Sequence, residues 1–262
     1  LAQFQGFFMS YHVAKVNRSA FILLFLGCFL IGPASLSADI TYELYQPDGW
    51  PADIRTEIET SIQEAVDLYN QYGSFNKQLN VLYNPSVPTA QANWNGDITF
   101  GGSRSTRTAL HEIAHTLGVG TYWNSIGTGW NGNRDGNLWT GEYAVAQLQE
   151  FNGPGAVLSA DSIHFWPYGL NYASEDGPLK RVRHIRMVAA LRGDMDIITF
   201  LREPVGQTAE PGGSAVFQVD AANAETYQWY KQGDADPLSD NDRVAGVTTD
   251  TLQISNIETS DE

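Results

Sequence analysis

The sequence predicts an α+β fold: a small mixed sheet with a long helix and a second, shorter helix, followed by a partial all-β sandwich. Three observations carry that reading. Residues 52–73 place Ile54, Ile58, Ile62, Ala65, Val66 and Tyr69 at helical spacing, between two short strand-like runs. Residues 104–117 read as another helix, with serines in front and Gly118 behind. Beyond residue 200 the pattern changes to strict alternation of apolar and polar residues between turn signals.

The first 38 residues stand apart from both patterns. They carry no acidic residue and two cations, Lys15 and Arg18, then an apolar run from Ala20 to Gly32 and a small-residue exit from Ala34 to Ala38. Those are the three parts of a secretory signal peptide, so the protein is expected to be secreted after cleavage at Ala38. The run falls short of the about 20 residues that a bilayer span needs, which argues against a retained anchor. Cys28 lies inside it and is the single cysteine of the chain. Lipid attachment at Cys28 is disfavoured by Phe25 ahead of Leu26 and Gly27. Stability of the remainder therefore cannot come from disulfides, despite export.

Apolar residues make up 42% of the chain, enough for a sizeable core. Charged residues are only 17%, and 30 acidic against 15 basic ones give a formal charge of -15. Without the leader the balance is 13 basic to 30 acidic, near -17. Nucleic-acid binding is excluded as a function class, because it depends on Lys and Arg reaching phosphates.

Residues 39–200 form the first domain. Ile40–Tyr45 reads as a strand, 52–73 as the long amphipathic helix and Gln78–Tyr83 as a second strand. Asn95-Gly96 is a turn, and Asp97–Phe100 a short strand after it. The 104–117 helix has Ser103 or Ser105 as its N-cap. A stretch rich in Gly, Asn and Trp follows, and a helix over Leu179–Leu191 closes the domain.

Inside the 104–117 helix stands His111-Glu112-Ile113-Ala114-His115. Positions four apart share a helix face, so both imidazoles can reach one metal with Glu112 beside it. Zinc so held brings the pKa of its water towards 7, and a neighbouring carboxylate takes the proton during attack on a carbonyl. The rival reading is a pair of histidines on an ordinary helix; export and the continuation Thr116-Leu117-Gly118 weigh against it.

On these residues the chain resembles the zincin metallopeptidases, of metzincin-like type. The resemblance implies zinc bound by His111 and His115, and Glu112 as general base and then acid. The metzincin motif continues to a third ligand, but its position here is Thr121, which is not a good zinc ligand. The resemblance also implies that Asp97–Phe100 is the edge strand that aligns a peptide substrate. Tyr168-Gly169-Leu170-Asn171-Tyr172 resembles the metzincin methionine turn with Leu170 in place of methionine. By that likeness Tyr172, with Tyr168 as alternative, stabilises the oxyanion.

The third ligand must come from elsewhere. His164, beside Phe165 and Trp166, is the candidate; Asp161 and Glu142 are the alternatives, the latter giving a gluzincin-like site. His184 lies among cations and is expected on the exposed side of a helix or against an acidic partner. Glu142 also ends Asn131–Glu142, which has the spacing of a weak calcium loop: oxygen-bearing residues at positions 1, 3 and 5, Gly at 6 and Glu at 12.

Residues 201–262 resemble the first part of an immunoglobulin-like domain, truncated at Glu262. Ser214–Val219 matches strand B, Tyr227–Lys231 strand C with Trp229 as the core tryptophan, and Thr251–Ser255 strand E. The expectation for the whole is a secreted zinc-dependent endopeptidase acting on protein or peptide substrates. Its rivals are a catalytically degenerate zincin scaffold for cell-surface adhesion, and a zinc hydrolase of amides or glycans. Trp123, Trp130, Trp139, Phe165 and Trp166 could stack on sugars, and the immunoglobulin-like region could supply a surface or carbohydrate contact.

Overall fold

A computed structural model describes residues 11–13, 39–123, 129–207, 209–231, 236–258 and 261. The expected leader, including Cys28, lies outside the described residues apart from Tyr11–Val13. Two compact units emerge: Ala38–Leu201, and a second comprising Arg202–Glu262 with the residues before Ala38. The architecture is mixed α+β, and no described helix is long and apolar enough to cross a membrane.

The first unit is built on a four-stranded sheet. Strand β1 (Ile40–Leu44) runs parallel to β2 (Lys77–Tyr83), which runs parallel to β4 (Asp97–Phe100); β3 (Ala90–Ala92) closes the edge antiparallel to β4. Helix α1 (Ala52–Tyr72) makes the crossover between β1 and β2. It buries Ile58, Ile62, Ala65, Val66 and Tyr69, the stripe legible in the sequence. Helix α2 (Thr106–Thr116) shares that core through Ala109, Leu110 and Ile113. One expectation is corrected here. Asp97–Phe100 is an interior strand that buries Ile98 and Phe100, and the edge is Ala90–Ala92. The short Ala-Gln-Ala segment carries no apolar alternation by which it could be foreseen.

Beyond α2 the chain forms a second, smaller sheet: β5 (Arg134–Asp135), β6 (Leu138–Trp139), β7 (Ser159–Ala160) and β8 (Phe165–Trp166), all antiparallel. Helix α3 (Glu142–Asn152) sits between β6 and β7, and α4 (Pro178–Asp194) packs on α3 and α1. Trp123, Trp130 and Trp139 are buried and stack on one another, with centroids 5.1–6.1 Å apart. Together with buried Phe165 they belong to the core, which removes four of the five proposed sugar platforms.

In the second unit β10 (Ser214–Gln218) pairs antiparallel with β14 (Thr251–Ser255), which pairs with β13 (Val244–Ala245). Strand β9 (Thr199–Arg202) precedes it in sequence; β11 (Asp220–Ala222) and β12 (Trp229–Lys231) lie between β10 and β13. Alternating burial puts Ala215, Phe217, Leu252 and Ile254 inside with Trp229, whose Nε1 donates to the Thr249 carbonyl at 2.8 Å. Residues Tyr11–Val13 pair antiparallel with β12.

Candidate metal centre

The site grows out of α2. Ser105 is the N-cap, its hydroxyl accepting from the Thr108 amide at 3.3 Å. Arg104 reaches Glu57 at 2.6 Å, which pins the start of α2 to α1. One turn in, His111 and His115 present a shared face. Their Nε2 atoms stand 3.1 Å apart and their rings meet at 88°.

Each outer ring nitrogen is held by a carbonyl. His111 Nδ1 donates to Gly169 O at 2.8 Å, and His115 Nδ1 donates to Val119 O at 2.7 Å. Carbonyls only accept, so both Nδ1 atoms carry hydrogens and both Nε2 atoms of the neutral rings present lone pairs. Burial, reinforced by His115, pulls His111 down to about 3, and burial also lowers His115. Two neutral lone pairs therefore face each other across 3.1 Å, an arrangement that a shared cation relieves.

The third imidazole arrives on the β7–β8 hairpin. Its turn, Asp161–His164, is closed by the Asp161 amide on His164 O at 2.9 Å and by Trp123 Nε1 on Ser162 O at 2.7 Å. The His164 ring lies 5.7 Å from that of His111 and 6.1 Å from that of His115. Ligand atoms of all three histidines fall within 4.8 Å of one another, the one such group of His, Cys, Asp or Glu among the described residues. His164 is about a third exposed, so the site opens on its side.

The alternatives fall elsewhere. Asp161 accepts the amides of Ile163 and His164 at 2.7 and 2.6 Å and faces His164 Nδ1 at 3.4 Å; it supports His164 instead of joining the cluster. Burial opposes ionisation of Asp161, but those amides hold its carboxyl below the ordinary value. Glu142 is exposed and opens α3, outside the cluster. The segment Asn131–Glu142 leaves a helical turn at Gly129–Gly132, forms the β5–β6 hairpin with its turn at Gly136, and enters α3, with the Asn133 side-chain amide donating to Asp194 O at 2.7 Å. Among the described residues the one convergent group of metal-ligating side chains is the histidine cluster, and it includes neither Asp135 nor Glu142.

Glu112 is buried beside the histidines. Burial pushes its carboxyl up to about 7, partly opposed by Arg107. Its Oε2 is buried and meets no hydrogen-bonding atom. An orphaned carboxylate oxygen, three convergent imidazoles and two facing lone pairs together fit a divalent metal with a water on it.

Residues 168–172 run beneath α2. Tyr168 and Leu170 take left-handed backbone, φ 70° and 56°, and Leu170 is fully buried. That conformation brings Gly169 O onto His111, and Arg107 donates to Leu170 O. The Tyr168 hydroxyl is occupied by Asn152 at 2.7 Å, whereas Tyr172 is 62% exposed.

Sequence reasoning missed the backbone acceptors Val119 and Gly169, and it missed Gly120. The repeat Gly118-Val119-Gly120 was the available signal. Both glycines have positive φ, 101° and 80°, which coils the chain back over His115. No known family model matches the chain, and no curated protein or solved structure matches it.

Proposed function

We propose that the first unit is a secreted zinc-dependent endopeptidase of metzincin-like type. The carrying observation is the convergence of His111, His115 and His164 within 4.8 Å, beside the unpartnered buried oxygen of Glu112. These three residues would hold the metal through their inner nitrogens. Bound there, zinc supplies Lewis acidity and a water acidic enough to attack near neutral pH.

The chain's own residues do the rest. Glu112 accepts the proton of the attacking water as the new C–O bond forms, then delivers it to the leaving nitrogen as the C–N bond breaks. Its buried Oε2, which meets no other hydrogen-bonding atom, supports that role. Tyr172, exposed on the turn that underlies His111, is the proposed donor to the oxyanion; Tyr168 is already engaged. The β3 edge of the sheet, as the described residues define it, suits an extended peptide, which pairs through its backbone. His164 supplies the donor that Thr121 lacks, and Thr121 instead donates to the His115 carbonyl at 2.5 Å. That speaks for an enzyme over a degenerate scaffold. We read the second unit as immunoglobulin-like, supported by its β10–β14 pairing and buried Trp229.

The test is metal content and casein cleavage by the parent, His164→Ala and Glu142→Ala. One zinc per chain and proteolysis, retained with Glu142→Ala and lost with His164→Ala, are expected. A parent that binds no zinc would overturn the proposal.

A further inference from the structure

The third histidine stands on a hairpin turn that is gripped from two sides. On one side Gly120, at φ 80°, lies flush against the turn: a Cβ there would stand 2.0 Å from the Ile163 carbonyl oxygen and 3.0 Å from His115 Cε1. Carbon cannot approach a carbonyl oxygen so closely, so any side chain at 120 must push the hairpin away or tilt His115. On the other side one Asp161 carboxylate gathers the amides of Ile163 and His164 and faces His164 Nδ1. A hydrogen on Nδ1 leaves Nε2 as the nitrogen for a metal.

We propose that Gly120 and Asp161 are positioning residues that set how tightly the third histidine closes on the metal. Neither is a ligand. Gly120 fixes how near the hairpin comes to α2, and Asp161 fixes which way the ring turns. This rests on the zinc reading of the site, and it adds what determines affinity there.

The experiment is zinc competition against a chromophoric chelator, run on the full chain, with the visible spectrum of the cobalt-loaded protein as a second readout. Gly120→Ala is expected to weaken zinc binding by on the order of tenfold or more, and Asp161→Ala by about 10- to 100-fold, each with an altered cobalt spectrum. Asp161→Asn keeps an oxygen for the two amides and recovers part of the loss. Gly153→Ala is the control for backbone strain: its φ is 92° and a Cβ there meets nothing within 4 Å, so it keeps parental affinity and spectrum. Parental affinity in Gly120→Ala or in Asp161→Ala removes that residue from the proposal. If Gly120→Ala does not fold, the two variants at half-buried Asp161 decide. A parent without zinc sinks the endopeptidase reading and this one together, whereas a zinc-binding parent with indifferent variants sinks this one alone.

Discussion

The Tyr69 hydroxyl and Nε2 of His184 stand 3.1 Å apart, each also 3.1 Å from the Leu110 carbonyl, and neither side chain is exposed. His184 Nδ1 donates to Tyr168 O at 2.7 Å, and burial between α1 and the turn beneath α2 disfavours the charged ring. This corrects the expectation of a histidine on an exposed face or against an acid. Its partners Tyr69, Leu110 and Tyr168 all lie on other elements, the farthest 115 residues away.

A pH dependence follows from that burial, which lowers the His184 pKa from 6.5 to about 4. Between those values the unfolded chain binds a proton that the folded chain refuses, so stability falls as pH drops from 6.5 towards 4. The full effect is roughly 3 kcal/mol for a shift of this size. Urea denaturation of the metal-free protein should show a shallower pH slope in that window for His184→Gln than for the parent. Equal slopes would mean that His184 is not the titrating group.

On the proposed mechanism, in which Glu112 moves a proton and binds no metal, Glu112→Gln should keep one zinc per chain and lose about 100- to 10,000-fold in kcat/KM. Metal analysis alongside peptide hydrolysis separates the two. Parental turnover in this variant would remove Glu112 from the chemistry.

Asp194 ends α4 and caps the start of α3 from a distance. It accepts from Trp139 Nε1 at 2.7 Å and from the Tyr143 and Ala144 amides at 2.8 and 3.1 Å. Asp194→Ala strands three donors, and a loss of about 3 kcal/mol or more is expected. Denaturant midpoints measure it, and an unchanged midpoint would refute the capping role.

Leu170→Ala removes a buried side chain from the turn that holds His111 and should destabilise by about 2–5 kcal/mol. Leu170→Met conserves volume and is expected to cost less than about 1.5 kcal/mol. Calorimetry of both variants distinguishes packing at this position from a need for leucine itself.

Much of this was legible in the chain. Helices α1, α2 and α4 follow from apolar spacing, a serine cap and Gly118, because local periodicity survives into the folded state. His164 could be reached by elimination among five histidines, although nothing near it in sequence says that a hairpin carries it to α2. What remained hidden depends on distant backbone. Val119 and Gly169 act through carbonyls, which every residue has. Gly120 matters for the side chain it lacks, and β3 is an edge only because β4 pairs on both sides.

The donors of the centre lie on two separate stretches, a buried helix and a partly open hairpin. An ion between them would stitch the chain into a closed loop running from His115 to His164. With one cysteine in 262 residues, no disulfide can do this within the chain. The metal would then be a cross-link as well as a reagent, and chelation would loosen the whole intervening stretch, offering it to other proteases.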